Sequence, residues 1–248
     1  MPDRALLEIA AGSLAAVLAA QAGGADRVEL CASLAVGGVT PSHGLLAVAR
    51  ERVRLPIYVL IRPRPGDFLY GDDEFEVMHR DVETCVKLGL DGVVIGALDI
   101  EGAIDPRCRE LASAAGKLGV TFHRAFDASA DLTRSLDAVI ALGCERVLTS
   151  GGCASALAGS NAIADLVRRA AGRIRIMAGA GIRASNLAEV VRRSQADEFH
   201  ASARTVVASP MRHRNPALLD LSPDYELSDV AEVREMKAGL LALRSGAA

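Results

Sequence analysis

The sequence predicts a single domain of the α/β class, a TIM (β/α)8 barrel, and three observations predict it. Eight short apolar segments recur along the chain, at 6–8, 28–31, 59–62, 93–96, 120–124, 147–150, 174–179 and 198–200. Stretches rich in Ala, Leu and Arg, with the period of a helix, set them roughly 20–35 residues apart. The length of 248 residues matches one such barrel, typically about 250. Most of the segments also run out into a polar or glycine-rich cluster. In this fold the residues at the C-terminal strand ends build the site.

The elements follow in order. Strand 1 covers about 5–10. Gly12-Ser13 opens a helix over about 13–22, and Gly23-Gly24 closes it as a C-cap. Strand 2 ends at Cys31. The loop over 32–42 carries Gly37-Gly38-Val39-Thr40-Pro41-Ser42, whose last two residues signal a helix start running to about Arg52. Strand 3 spans 57–62, and the longest loop follows, from Pro63 to Asp72. Two prolines and two glycines keep that loop out of helix and sheet, and long βα loops are usually functional. A helix over about 73–88 leads to strand 4 at 92–96. Ile104-Asp105-Pro106 supplies an N-cap and a first-turn proline for the next helix. Strands 5 to 8, at 120–124, 146–149, 174–178 and 197–200, lead into Ala125-Phe126-Asp127, Ser150-Gly151-Gly152, Gly179-Ala180-Gly181 and Ala201-Ser202. Beyond them, 209–223 is extended chain and a last helix covers about 229–243. The barrel therefore takes about 5–208. A C-terminal extension over about 209–248 is long enough to wrap it or to reach a neighbouring subunit.

Composition narrows the function. The net charge is −3 and the arginines are scattered among Asp and Glu, so nucleic acid is not an expected partner. No apolar run approaches the ~20 residues of a membrane span, and Met1-Pro2-Asp3-Arg4 lacks the plan of a signal peptide. The five cysteines are odd in number and form no CxxC pair, which predicts a reduced, cytoplasmic protein.

Side chains alternate along a strand, so Glu29 shares a face with Cys31, and His200 with Glu198 and Ser202. Strands 8, 1 and 2 are neighbours in a barrel. If those faces point inward, Glu8, Glu29 or Cys31, and His200 meet at one side of the mouth. Charges inside a core are costly unless paired or in use. Glu8 and Glu29 are therefore either a buried ion pair with Arg62 or Arg64, or general acid–base groups. His123 and His200 are the other proton-transfer candidates, because histidine titrates near neutrality. Arg62 and Arg64 offer planar forks for a carboxylate or phosphate, the alternative being a loop tied down by an Arg–Asp67 salt bridge. Arg124 stands beside His123; on a regular strand the two would face opposite ways. Ser150, Gly151, Gly179, Gly181 and Ser202 complete the anion-binding candidates, as glycine-rich backbone near strands 7 and 8 often holds phosphate. Five of the eight aromatics, Phe68, Tyr70, Phe122, Phe126 and Phe199, lie in or beside these clusters and suggest a walled pocket or a plug. Cys31 is the one thiol at a strand end. A monovalent copper ion prefers soft ligands such as thiolate, and a buried structural cysteine is the alternative.

Taken together, Glu29-Leu30-Cys31, the segment 37–42, Ile61-Arg62-Pro63-Arg64 with Gly66-Asp67-Phe68, the segment 122–127, the segment 148–152 and Glu198-Phe199-His200-Ala201-Ser202 resemble the CutC family, over about 6–209. The resemblance implies a cytosolic TIM barrel, dimeric or larger, acting in copper homeostasis by binding copper(I), with Cys31 as the matching thiol. The residues by themselves describe an anion-binding mouth equipped for acid–base work. That fits an enzyme of a small phosphate- or carboxylate-bearing metabolite. A barrel serving only as a binding module is the third expectation.

Overall fold

The computed structural model describes residues 5–217 and 221–244. Eight strands lie in chain order around a closed barrel: β1 (Leu6–Ala11), β2 (Arg27–Leu30), β3 (Ile57–Leu60), β4 (Gly92–Ile95), β5 (Gly119–Phe122), β6 (Arg146–Thr149), β7 (Arg175–Gly179) and β8 (Glu198–Ala201). Each pairs in parallel with its neighbours, and β8 pairs with β1, Glu8 lying opposite His200. The helices are α1 (Leu14–Gly23), α2 (His43–Arg52), α3 (Asp72–Lys87), α4 (Cys108–Ala114), α5 (Leu132–Ala141), α6 (Ser160–Ala170), α7 (Ala184–Ser194) and α8 (Val230–Arg244). The predicted fold class is the observed one.

Local chemistry sets most helix starts. Ser13 caps α1 by accepting from the Ala16 N–H, Ser42 caps α2 through Leu45, and Asp131 caps α5 through Thr133 and Arg134. The expected start at Asp105-Pro106 shifts: these residues form a turn, Asp105 accepts from the Arg107 N–H, and α4 begins at Cys108. Strand 5 also ends early, at Phe122, and the chain turns into a 3-10 helix at Arg124–Ala128.

The last helix expected over about 229–243 is observed as α8, and part of the expected extended chain, 218–220, lies outside the described residues. After β8, β9 (Arg204–Val207) and β10 (Tyr225–Ser228) form an antiparallel hairpin. Helix α8 then packs against α1 and α7, burying Val233, Met236 and Leu240. It acts as the eighth helix of the ring, and Lys237 reaches Asp26 at 2.6 Å.

Alternation divides the side chains into two layers. Leu7, Ile9 and Ala11 join Val28, Leu30, Phe122, Phe126 and Phe199 in the apolar layer under the helices. The barrel interior is largely polar toward its base. Arg27 bridges Glu8 and Glu198, Arg146 bridges Glu198 and Glu145, and Glu145 accepts from the Tyr58 hydroxyl. The Tyr58 ring lies under both guanidinium groups, 4.9 and 5.0 Å from them. An inner apolar ring of Cys31, Tyr58, Leu60 and Val94 completes the filling.

Candidate functional site

A cavity of about 210 Å³ opens at the C-terminal strand ends, lined by Ala10, Glu29, Arg62, Phe68, His123 and His200 among others. It has room for a small metabolite. A second lobe of about 260 Å³ adjoins it and shares Ala10, Leu34, Arg124 and His200 with it.

Alternation along β8, β1 and β2 brings three of the four proton-transfer candidates together. Donor atoms of Glu8, Glu29 and His200 lie within 4.8 Å of one another. His200 Nδ1 is 2.8 Å from Glu8 Oε1. Burial opposes the Glu8 charge, yet Arg27 and His200 outweigh it and hold its carboxyl well below the usual carboxylate range. Burial likewise opposes a charged His200, but Glu29 and Glu8 push its pKa up. The expected ion pair of Glu8 with Arg62 or Arg64 does not form, since Arg27 takes that role.

Glu29 differs from Glu8. Its carboxylate makes no hydrogen bond among the described residues, and its Oε2 is buried without a partner. Burial, with Glu8 nearby, pushes its pKa up to about 7 against the pull of His200 and Arg27. Opposite stands His123. Because β5 ends at Phe122, His123 and Arg124 both line the cavity, contrary to the alternation expected of a continued strand. His123 Nδ1 accepts from the Ala125 N–H at 3.1 Å, so the neutral ring carries its proton on Nε2. That Nε2 is buried and unpartnered. Burial, and then Arg62, lower the His123 pKa to about 3, so the ring is a neutral donor at any ordinary pH. Two glycines make the room: a Cβ at Gly96 would sit 2.5 Å from His123 Cε1, and one at Gly179 would sit 2.4 Å from Leu148 Cδ1.

The arginines of the long loop are largely spent. Arg62 donates to the carbonyls of Val36, Gly38 and Gly66 and lies 5.1 Å over the Phe68 ring, which in turn packs 5.2 Å from the His123 ring. It remains a wall of the cavity with its Nε unbonded. Arg64 folds back onto Glu74, Asp67 and the Leu69 carbonyl and lines neither lobe. Its expected anion contact is replaced by these internal partners. Ser150 and Gly151 are corrected in the same way. The turn does bind a carboxylate, but an internal one: the Ser150 and Gly152 N–H groups, the Thr149 hydroxyl and Arg124 all hold Asp127. The Gly151 N–H goes to Thr149 Oγ1. Gly179 lies beside His200, and Gly181 and Ser202 line the second lobe. Of the aromatics, Phe68 walls the first lobe. Phe122, Phe126 and Phe199 pack behind the barrel, and Tyr70 is buried against Phe75.

Cys31 lies outside the three-residue donor group. Its thiol reaches the Ala11 carbonyl at 3.7 Å, and burial, then Glu29, push its pKa far up. The network of Arg27, Arg146 and Glu198 escaped sequence reasoning as a support of the site. The i, i+2 spacing of Arg27 with Glu29 and of Glu198 with His200 was its available signal.

These features define the class: a (β/α)8-barrel protein with a carboxylate–histidine pocket at the C-terminal face of the barrel. The particular family is the CutC family, whose sequence model matches residues 5–205, and the chain belongs to it. A CutC family protein of Xylella fastidiosa (strain Temecula1) is 59% identical over 231 residues, 93% of this chain and 86% of its own. A human protein named as a copper homeostasis protein cutC homolog is 45% identical, over 94% of this chain and 88% of its own. Among solved structures, one named for the copper homeostasis protein CutC of Streptococcus agalactiae superimposes with a TM-score of 0.76 at 33% identity. It covers 80% of this chain and 98% of that one.

Proposed function

We propose that the barrel mouth is a catalytic pocket for general acid–base chemistry on a small anionic metabolite. The observation that carries this reading is the pairing of two buried, unpartnered polar atoms, Glu29 Oε2 and His123 Nε2, on the wall of one cavity. A buried polar group left without a partner is costly, and a ligand supplying complementary groups removes that cost. Glu29, with a pKa of about 7, can take or give a proton at neutral pH. His123 can donate a hydrogen bond to an oxygen that gains charge. The Glu8–His200 pair, held by Arg27, balances charge beside Glu29. The reaction class is proton transfer at an atom next to a carbonyl or similar oxygen. The test is a panel of small phosphorylated and carboxylated metabolites incubated with the protein in D2O, read by mass spectrometry. Deuterium uptake or turnover that disappears in Glu29→Gln is expected. A panel without exchange or turnover beyond background counts against the reading.

Copper(I) handling is the second reading, favoured by the names of the human and streptococcal relatives. Cys31 fits it poorly as a ligand: its thiol is buried, hard to ionise, and outside a neighbouring donor group that holds only oxygen and nitrogen. An anaerobic titration against a copper(I) chelator separates the readings. One-to-one binding lost in Cys31→Ser supports copper, and no competition with the chelator removes it. Five free cysteines support a reducing, cytoplasmic setting, and no helix among the described residues is long and apolar enough to cross a membrane. The expected homo-oligomer is checked by light scattering.

A further inference from the structure

We infer that the second lobe is a subsite for a tetrahedral dianion, so that the metabolite acted on in the first lobe is a phosphomonoester. This rests on the catalytic reading of the first lobe. The lobe is lined by Arg124, Arg183 and Arg204 together with His200, and no Asp or Glu among the described residues lines it. Two of the arginines are held rigidly from behind. Arg124 is fixed by Asp127 and Ser150 through Nε and Nη2, and Arg204 by Ser202 and Glu226 through Nε and Nη1. Their remaining terminal nitrogens, Nη1 of Arg124 and Nη2 of Arg204, make no hydrogen bond among the described residues. Arg183 has no ion-pair partner among the described residues, so the lobe keeps an uncompensated positive charge.

The backbone is shaped for the same purpose. Among the described residues, five non-glycine residues have positive φ, and two of these, Ala171 and Gln195, close helices. Two others, Ala180 at 80° and Ala203 at 47°, both line this lobe, next to Gly181 at 68°. Alanine in this region is strained, and such strain clusters at ligand clamps. Three guanidinium groups approaching from different strand ends suit a group with three terminal oxygens better than a planar carboxylate, which one fork satisfies. The lobes meet at Arg124 and His200. A phosphate held in one therefore leaves the adjoining part of the molecule beside Glu29 and His123.

The experiment is isothermal titration of the full chain with inorganic phosphate at low ionic strength, with acetate as the planar control. Amide NMR shifts are followed in parallel. Saturable phosphate binding that shifts the Gly181 and Ser202 amides is expected, with acetate at least tenfold weaker. Arg183→Glu should weaken phosphate at least tenfold, and Arg183→Ala, a milder change at an exposed position, should weaken it in the same direction. Absent or non-saturable binding in the wild type, or binding insensitive to both Arg183 variants, overturns the subsite. Acetate binding as tightly as phosphate overturns the dianion assignment. Phosphate binding that stands while Glu29 titrates as an ordinary carboxylate would instead remove the catalytic reading and keep the subsite.

Discussion

Replacing Glu29 by glutamine isolates a buried carboxyl whose pKa is raised toward neutrality. The side chain keeps its shape and loses its charge. In the folded protein the carboxyl has its pKa raised from 4.5 to about 7, with His200, Glu8 and Arg27 the charged groups facing it. The folded state therefore binds the proton more tightly than the unfolded chain. The resulting stability is fully present below about pH 4.5 and is lost as the pH rises through 7. A shift of this size corresponds to about 3 kcal/mol between the ends of that window. The Gln variant carries no such titration, so it should match the wild type near pH 4.5 and exceed it by up to about 3 kcal/mol at pH 8. For a chain of this length that is roughly 6–12 °C in melting temperature. His200 titrates in both proteins, although losing Glu29 removes one of the charges that raise its pKa. Denaturant or thermal melts of both proteins every half pH unit measure the difference. Two profiles that stay parallel from pH 4.5 to 8 would refute the raised pKa, and with it the role of Glu29 as a neutral-pH acid or base.

Three further outcomes follow from the same geometry. Arg27→Met leaves Glu8 and Glu198 buried without their shared cation and should cost about 3–5 kcal/mol in denaturant unfolding; a loss under 1 kcal/mol would show that the network reorganises around the gap. His123 should remain neutral from pH 5 to 8 with its proton on Nε2, since its pKa is about 3; two-dimensional 15N–1H spectra of the ring read this directly, and its depressed pKa gives stability that is lost only as pH falls from about 6.5 toward 3. Gly96→Ala places a Cβ 2.5 Å from the His123 ring, so it should cost about 1–3 kcal/mol and shift the His123 ring resonances, whereas unchanged His123 signals would contradict that contact.

Much of the fold was legible because a barrel repeats one rule eight times. The meeting of Glu8, Glu29 and His200 was legible for the same reason: the side-chain period of two and the adjacency of β8, β1 and β2 suffice for it. What failed were the places where that period ends. His123 and Arg124 were expected on opposite faces, but the chain turns after Phe122 and both reach the cavity. Arg64 and the Ser150 turn carried the right chemistry for an anion and met one inside the protein, Glu74 or Asp127. Sequence shows which groups can pair, not which of two candidates arrives first. The role of α8 stayed hidden because the hairpin of β9 and β10 interrupts the strand–helix alternation just before it.

The contact of α8 with α1 and α7 has a consequence for biosynthesis. Ring closure joins segments far apart in sequence: β8 must find β1, and Val233, Met236 and Leu240 must cover the seam beside α1. A ribosome adding about 5–20 residues per second releases that helix roughly 12–50 s after the first strand has emerged. Until β8 emerges, roughly 10–40 s after β1 at the same rate, the free edge of β1, with Leu7 and Ile9 in it, has no partner within its own chain on the side that β8 will occupy. The longer that edge waits, the longer an unpaired strand is open to pairing with other chains. Moving the termini by circular permutation to the loop between β6 and α6 would make β8, α8 and β1 contiguous and shorten the wait.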